Sequence, residues 1–237
     1  MSALDAVRAR QSWSKVEDTA PTREELLTFV AAAGRVADHS SLRPWRLIEL
    51  RGADREVLGA AIAKAQGDSS PSSKPLRAPL LIAVVASYRK SEKVPRWEQE
   101  AVASGVAHVL SLLLDEAGWG VIWRTGHYTR AKAVAKAHGL GKNEELLGWL
   151  YVGGKPEGKK PGRRKSVDAR KLVTRLPAAS TEKAKKKKKK KKKKRLSVDA
   201  ATAWPRRPTR RRPRPSRAPA RARVPPPVAT GGRSRPT

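Results

Sequence analysis

Along residues 1–154 the apolar residues follow helical spacing in some segments and strand-like spacing in others. Where they recur every three or four positions, as at Val102, Val106 and Leu110, they predict a buried helical face. Thr22 and Glu25 form a capping-box pattern in front of one such segment. The pattern predicts helices over residues 2–10, 21–37, 53–65, 97–117 and 131–138.

The strand-like segments lie between these helices. Residues 45–50 alternate apolar and polar side chains, which is typical of a strand. Residues 79–86 (PLLIAVVA) are continuously apolar, which predicts a strand buried on both faces. Two more strands are predicted at residues 120–125 and 146–152. Because helical segments rather than two-residue turns separate the strands, the order favours a mixed α/β or α+β sandwich with helices against a small sheet.

Composition excludes several kinds of site. The chain has no cysteine, which rules out disulfides, thiolate nucleophiles and cysteine-bound zinc. Its four histidines form no helix-spaced pair, so we expect no metal site. No Gly-x-Gly-x-x-Gly follows a strand, and a Rossmann dinucleotide site is not supported. We find neither a signal-peptide pattern nor the ~18 apolar residues that a membrane span needs, and we expect a soluble cytoplasmic protein.

Charge divides the chain in two. The formal net charge is +32, and residues 176–237 contribute +21 of it, with 23 Lys and Arg against 2 Asp and Glu. Residues 1–175 mix both signs and hold nearly all the aromatic and branched apolar residues. We therefore predict a folded domain over residues 1–175. Residues 176–237 are predicted to be a disordered basic tail, because they cannot bury enough apolar surface to fold.

The predicted tail contains ten consecutive lysines at residues 185–194, followed by a stretch rich in Arg, Pro and Ala. Such a segment binds nucleic acids or other polyanions non-specifically and with steep salt dependence. An alternative function is therefore a basic nucleic-acid-associated protein whose folded part is only a dimerisation scaffold. A second interpretation of the tail is a slipped reading frame after Lys194, since a homopolymer followed by an abrupt compositional change also results from slippage in a GC-rich gene.

Three polar clusters within residues 1–175 are candidates for ligand binding. The first, here called the N-terminal cluster, is Arg10, Gln11 and Ser12, with Ser14 and Lys15 close behind. These groups suit a phosphate, because Arg offers a bidentate fork and the neighbouring side chains add donors. Taken alone, the same residues also fit a solvated surface turn.

The other two clusters follow a predicted helix and end a predicted strand. Arg35 and His39, the turn cluster, are four residues apart and are predicted to share one face at a helix end, where the helix dipole favours cations. A dipole-compensating pair without a ligand explains them equally well. Trp123, Arg124 and Thr125, the strand-end cluster, offer a ring, a cation and a hydroxyl at a position where ligands often bind. The alternative there is a strand edge with one buried Trp.

Longer stretches of sequence carry a family resemblance. Residues 93–100 (KVPRWEQE), the turn cluster with Pro44 and Trp45, and residues 120–126 (GVIWRTG) together resemble the nitroreductase family, in particular its compact bacterial NAD(P)H nitroreductase branch. The resemblance extends over about residues 2–154. It implies an α+β fold, a three-layer sandwich with a central mixed sheet between helices, in an intertwined homodimer. It also implies FMN as the cofactor and NAD(P)H as the electron donor.

The resemblance further implies roles for the three clusters. The N-terminal cluster would hold the phosphate and ribityl chain of FMN, the turn cluster would reach the FMN of the partner subunit or its rim, and the strand-end cluster would close the site. Residues 113–118 match a segment that the family associates with the nicotinamide nucleotide. The chain departs from the branch at Gln11 and Lys15, where Arg is usual, and at Arg43, where an uncharged residue is common. Each loss of Arg weakens bidentate phosphate binding.

The implied activity is flavin chemistry. NAD(P)H would deliver hydride to flavin N5 and leave, and a nitroaromatic, quinone or similar acceptor would take its place in ping-pong turnover. No side chain is required as a general acid or nucleophile, and we assign no catalytic residue. A third hypothesis is a relative that keeps the flavin but performs another redox reaction, such as dehydrogenation or flavin fragmentation.

Overall fold

The computed structural model describes residues 2–158, 162, 165–176 and 186–191. Its backbone contacts divide the chain into two units, Met1–Lys165 and Ser166–Thr237. The boundary between these units falls before the one predicted after residue 175. None of the helices in the described part of the chain combines the length and hydropathy that a transmembrane span requires.

The described residues of the first unit form five α-helices and four strands, in the order that the apolar pattern predicts. The helices are α1 (Ala3–Ala9), α2 (Arg23–Ala33), α3 (Ala53–Gln66), α4 (Arg96–Glu116) and α5 (Lys132–Ala137). The strands are β1 (Trp45–Arg51), β2 (Leu80–Ser87), β3 (Trp119–Arg124) and β4 (Glu144–Gly154). Short 3₁₀ helices lie at His39–Ser41, Lys74–Arg77 and His127–Arg130.

The predicted α+β class is confirmed, but the mixed sheet is wrong for the strands described. They lie in the order β1-β2-β4-β3, and each neighbouring pair is antiparallel. The reason is visible in the connection between β1 and β2. Leu80, which begins β2, pairs with Arg51, which ends β1. The chain therefore leaves through α3 and returns to the same end of the sheet, which reverses the strand direction.

The sheet separates two layers of helices, and this three-layer arrangement is as predicted. Alternate residues of β2 face opposite sides, since strand side chains alternate. Leu80, Ile82 and Val84 belong to the same apolar cluster as residues of α2 and α4. On the other face, Leu81 and Val85 pack in the cluster that contains residues of α3 and α5. The side chains of β2 are buried throughout, which confirms a strand covered on both faces.

The second unit is described only in part. A short helix, α6 (Ala169–Leu172), is capped by Asp168, whose carboxylate accepts a hydrogen bond from Arg170 N. Residues 186–191, six of the consecutive lysines, are helical and exposed. Lysine is a good helix former, and the disorder of the tail as a whole stays a prediction. The rest of the predicted tail lies outside the described residues.

Candidate functional site

Residues 13–17, here called the N-terminal segment, lie against the sheet at β3 and the end of β4. Trp13 N donates to Val121 O of β3 at 3.0 Å, and Glu17 N donates to Gly154 O of β4 at 2.9 Å. The approach is close because glycine faces the segment: a Cβ on Gly153 would stand 2.6 Å from Glu17 O. These bonds fix the backbone that follows the N-terminal cluster against β3 and the end of β4.

Arg124 connects the two regions directly. Its Nη2 donates to Ser14 O at 3.3 Å, and its guanidinium lies 5.4 Å from the centroid of the Tyr151 ring. The structure therefore brings the N-terminal segment and the strand-end cluster together. Sequence spacing alone does not predict this contact, because it depends on which strand the N-terminal segment joins.

Two donors of the strand-end cluster have no acceptor. Trp123 Nε1 and Arg124 Nε are buried and, within the part of the chain described, make no hydrogen bond. Buried N–H groups are nearly always paired, so such orphans need an explanation. The Trp123 ring is held in an edge contact with His108, with ring centroids 5.0 Å apart. Gly148 faces its nitrogen, and a Cβ there would lie 2.6 Å from Trp123 Nε1.

A cavity of about 360 Å³ opens beside these groups and is called the strand-end cavity below. It is lined by Lys74, Arg77, Ile122, Trp123, Arg124, Thr125, Tyr128 and Tyr151. Three of these residues are cations and none is a carboxylate. Lys74 and Arg77 were not predicted, because they join the site only through the antiparallel pairing of β2 and β4. No group of three or more acidic or histidine side chains suited to a metal ion occurs among the described residues.

The residues of the N-terminal cluster differ in burial and in the cavity that they line. Arg10 and Gln11 are partly buried, and Ser12 is exposed. Gln11 Oε1 accepts a hydrogen bond from Gly162 N at 2.9 Å. Gln11 also lines a second cavity of about 360 Å³, together with Trp13. The Gln11 side chain therefore does not line the strand-end cavity.

The second cavity contains part of the segment that the resemblance links to the nicotinamide nucleotide. Asp115, Glu116 and Gly118 line it, with Lys155 opposite. Asp115 is buried and already paired: its Oδ1 accepts from Trp13 Nε1 at 3.2 Å and lies 3.4 Å from Lys155 Nζ. The carboxylate thus ties the N-terminal segment to the end of α4, which is a structural role.

The turn cluster is not on a helix face, and that part of its prediction is wrong. Helix α2 ends at Ala33 with Gly34 as its C-cap. Arg35 follows the helix and His39 begins a 3₁₀ helix, and both side chains are exposed. Neither residue lines the strand-end cavity.

The turn that carries His39 has an unusual backbone. Ser40, Ser41 and Arg43 have φ values of 56°, 51° and 46°, in the left-handed region that costs a non-glycine residue about 1–3 kcal/mol. Asp38 holds the turn, because its Oδ2 accepts from Arg43 N at 2.7 Å. Such conformations concentrate at functional sites.

The VPRWEQE motif closes a loop. Gln99 is 2% exposed. Its Oε1 accepts a hydrogen bond from Arg89 N at 2.8 Å, and its Nε2 donates to Arg89 O at 3.0 Å and to Val94 O at 2.9 Å. Arg96 pairs with Glu145 at 2.6 Å and stacks 3.8 Å from the Tyr88 ring centroid. Burial is the main cause that raises the pKa of Tyr88 to about 12. The VPRWEQE motif therefore has a structural role, because its side chains hold the loop in front of α4.

Comparison with known proteins assigns the family. A family model described as Nitroreductase family matches residues 7–154. The chain is also 36% identical over 161 residues to the Escherichia coli K12 protein named "Putative NAD(P)H nitroreductase YdjA". The alignment covers 65% of this chain and 88% of that protein. The chain belongs to the nitroreductase family, a family of oxidoreductases, as the sequence motifs predict.

Solved structures agree on the fold. The nitroreductase-like family protein from Bacillus cereus has a TM-score of 0.66 at 20% identity, over 75% of this chain and 97% of that chain. The FMN and NADPH-dependent nitroreductase NfnB from sphigopyxis sp. strain HMH has a TM-score of 0.58 at 19% identity, over 75% of this chain and 100% of that chain. The nitroreductase-like α+β fold is therefore confirmed.

Proposed function

We propose that the protein is an FMN-dependent NAD(P)H oxidoreductase that reduces a nitroaromatic, quinone or similar acceptor. One observation carries the proposal: the buried donors Trp123 Nε1 and Arg124 Nε lack acceptors beside a cavity lined by three cations. FMN fits this donor set, because its phosphate, ribityl and ring oxygens are acceptors and its phosphate is anionic. The names of the relative YdjA and the structural neighbour NfnB support the same activity.

Each cluster has a proposed part in holding the cofactor. Arg10 and Ser12, with Arg124, bind the phosphate end, because Arg forks match phosphate geometry. Trp123 donates its indole N–H to a polar atom of the flavin. The turn cluster of Arg35 and His39 is exposed, and we assign it to the flavin of a second copy. On this proposal the site is complete only in a homodimer.

When bound, FMN would supply the hydride-transfer chemistry between NAD(P)H and the acceptor. The chain's own residues bind and orient it, and Arg124 places positive charge nearby. We propose that NAD(P)H and the acceptor use the same space in turn, which gives ping-pong kinetics. No side chain is assigned proton transfer.

An absorbance spectrum of the purified protein, with and without added FMN, tests the cofactor. We expect the spectrum of bound flavin and its bleaching by NADH or NADPH. A colourless protein that takes up no added FMN would overturn the proposal. Oxidation of NAD(P)H in the presence of nitro compounds or quinones separates this activity from another flavin reaction, such as dehydrogenation or flavin fragmentation.

A second candidate function rests on charge. Residues 176–237 carry a net charge of +21, which favours non-specific binding of nucleic acid or another polyanion. Retention on immobilised DNA that falls steeply with salt would support it. Weak retention on DNA even at low salt would contradict this second function, and the oxidoreductase activity would remain as the one proposed function.

A further inference from the structure

Trp13 fixes the N-terminal cluster from its C-terminal side. It directly follows Ser12, and its side chain is only 8% exposed. Its backbone N–H donates to β3, and a Cβ on Gly120 would stand 3.3 Å from Trp13 Cβ. On the other side of the cluster, Arg10 N donates to Ala6 O of α1 at 2.9 Å. The three residues of the cluster therefore lie between two fixed points of the backbone.

Asp115, near the end of α4, holds the side chain of Trp13. Its Oδ1 accepts from Trp13 Nε1 at 3.2 Å and lies 3.4 Å from Lys155 Nζ. Lys155 Nζ also donates to Asp115 O at 2.7 Å and lies 5.8 Å from the Trp13 ring centroid. One carboxylate thus joins the N-terminal segment, the end of α4 and the residue that follows β4.

The carboxylate of Asp115 is unfavourable in this position without its partners. It lies in the last turn of α4, where the negative end of the helix dipole repels an anion. It is also only 8% exposed, and a buried carboxylate needs hydrogen bonds and an opposite charge to offset its desolvation. Trp13 supplies the hydrogen bond and Lys155 the charge. The contact between Asp115 and Trp13 is therefore one that the fold depends on.

The resemblance associates residues 113–118 with the nicotinamide nucleotide, but the contacts of Asp115 argue against a direct role there. Its Oδ1 already has two partners within the protein. A carboxylate also repels the phosphates of a nucleotide. The groups that suit a phosphate are instead the guanidinium of Arg10 and the hydroxyl of Ser12, in the cluster that Trp13 follows.

We propose that Asp115 is a positioning residue for the phosphate of FMN. Through the Trp13 indole it fixes where Arg10 and Ser12 lie, and it makes no contact with the nicotinamide nucleotide. The identity of the phosphate rests on the proposed function, whereas the anchoring of the cluster rests on the protein's own contacts. Asp115 is 102 positions from Trp13 along the chain, so sequence spacing does not connect it with the cluster.

The experiment compares variants of the full-length protein. Asp115→Ala removes the acceptor of Trp13, and Asp115→Asn keeps an acceptor oxygen. Asp68→Ala is the control, because it removes an exposed carboxylate outside the cavity that Asp115 lines. Affinities for FMN and riboflavin are measured by quenching of flavin fluorescence. Asp115→Ala is expected to weaken FMN binding about fivefold to tenfold, as the loss of one hydrogen bond does, and to leave riboflavin binding unchanged. Asp115→Asn and the control keep the wild-type ratio of the two affinities.

Trp13→Phe tests the route through the indole, because it keeps a ring and removes the N–H. It is expected to lower the ratio of FMN to riboflavin affinity as Asp115→Ala does, and the double variant is expected to lower it no further. Equal losses of FMN and riboflavin binding in Asp115→Ala would show a general loss of structure and overturn the positioning role. A raised KM for NADPH and NADH with wild-type FMN affinity would overturn it as well, because Asp115 would then contact the nucleotide.

Hydrogen exchange of the backbone amides of residues 10–17 separates this inference from the proposed function. Without FMN, exchange is expected to be faster in Asp115→Ala and Trp13→Phe than in the wild type, Asp115→Asn and the control. If the wild type takes up no flavin and this difference persists, the proposed function is overturned and the anchoring of the cluster stands. If the wild type binds FMN and neither the exchange nor the affinity ratio differs, the inference is overturned and the proposed function stands.

Discussion

At the scale of single residues, the position of Trp123 depends on the lack of a side chain opposite it. Gly148 has φ of 143° and lies at the irregularity where β4 shifts register against Val84 and Val85. A Cβ there would stand 2.6 Å from both Trp123 Nε1 and Arg124 O. Neither the backbone oxygen nor the packed indole is free to move away, so the register shift and the glycine together shape the strand-end cluster.

Gly148→Ala is therefore expected to destabilise the protein by at least about 2 kcal/mol, from backbone strain and overpacking. It is also expected to weaken FMN binding, because Trp123 is displaced. Denaturant unfolding and flavin titration measure the two effects. Gly105→Ala is the matched control, since its Cβ would meet only Val36 at 3.8 Å and alanine favours a helix by about 1 kcal/mol. Equal behaviour of the two variants would contradict the prediction.

His138 shows a second residue-scale effect, on stability against pH. Its side chain is buried, with Nδ1 2.8 Å from Val134 O, and its Nε2 accepts from Trp149 Nε1 at 2.9 Å. These bonds need the neutral ring, with its proton on Nδ1. Burial, helped by the charge of Arg46, lowers the pKa of His138 below its ordinary 6.5.

Because the unfolded chain protonates His138 more readily, its contribution to stability is complete above about pH 6.5 and is lost as the pH falls towards the lower folded-state pKa. We expect the free energy of unfolding to decrease over that interval by up to about 1.4 kcal/mol per pH unit. Urea unfolding between pH 5 and 8 measures it. His138→Gln should remove this part of the slope, and the exposed His127→Gln should not. Parallel pH profiles for all three proteins would show that His138 is not the group responsible.

At the scale of elements, the sequence predicts helices and strands well where local chemistry sets them. The Thr22–Glu25 capping box starts α2 as expected, and the apolar run of residues 79–86 is the buried strand β2. What local pattern does not contain is the order and direction of strands. The antiparallel return from β1 to β2 therefore went unpredicted, and so did the approach of Lys74 and Arg77 to Arg124.

The turn after α2 is a further feature without a local signal. Ser40, Ser41 and Arg43 do not predict a left-handed backbone, because glycine or asparagine usually occupies such positions. The α2 pattern also continues past Gly34, so the predicted helix was too long. Only the fold reveals that Asp38 holds this strained turn, through hydrogen bonds from Arg43 N to its carboxylate and from Ser41 N to its backbone oxygen.

Asp38→Ala is expected to release the turn. Losing the acceptor for Arg43 N costs about 1 kcal/mol, and the three left-handed residues relax to ordinary φ values. If the turn cluster contacts flavin as proposed, FMN affinity falls. Asp38→Asn keeps an acceptor oxygen and should retain most of the wild-type affinity. Fluorescence titration and thermal melting of the three proteins test this. Identical FMN affinities, with only the melting temperature changed, would limit the turn to a structural role.

At the scale of the whole molecule, charge and chemistry lie in different segments. The clusters and the strand-end cavity all fall within Met1–Lys165, the unit that contains the family match at residues 7–154. Most of the excess positive charge follows residue 175. We expect the two segments to act independently, and each has its own assay.

A chain ending at residue 175 is therefore expected to bind FMN and oxidise NAD(P)H like the full-length protein. It should lose most of its retention on DNA, since the tail carries +21 of the net +32. The logarithm of DNA affinity should also lose most of its salt slope, which is about −0.9 for each phosphate neutralised. Replacing the lysines at 185–194 with glutamine in the full chain distinguishes the lysine run from the Arg/Pro-rich stretch. If the shortened chain kept full DNA retention, the binding would belong to residues 1–175, and charge would not separate the two activities.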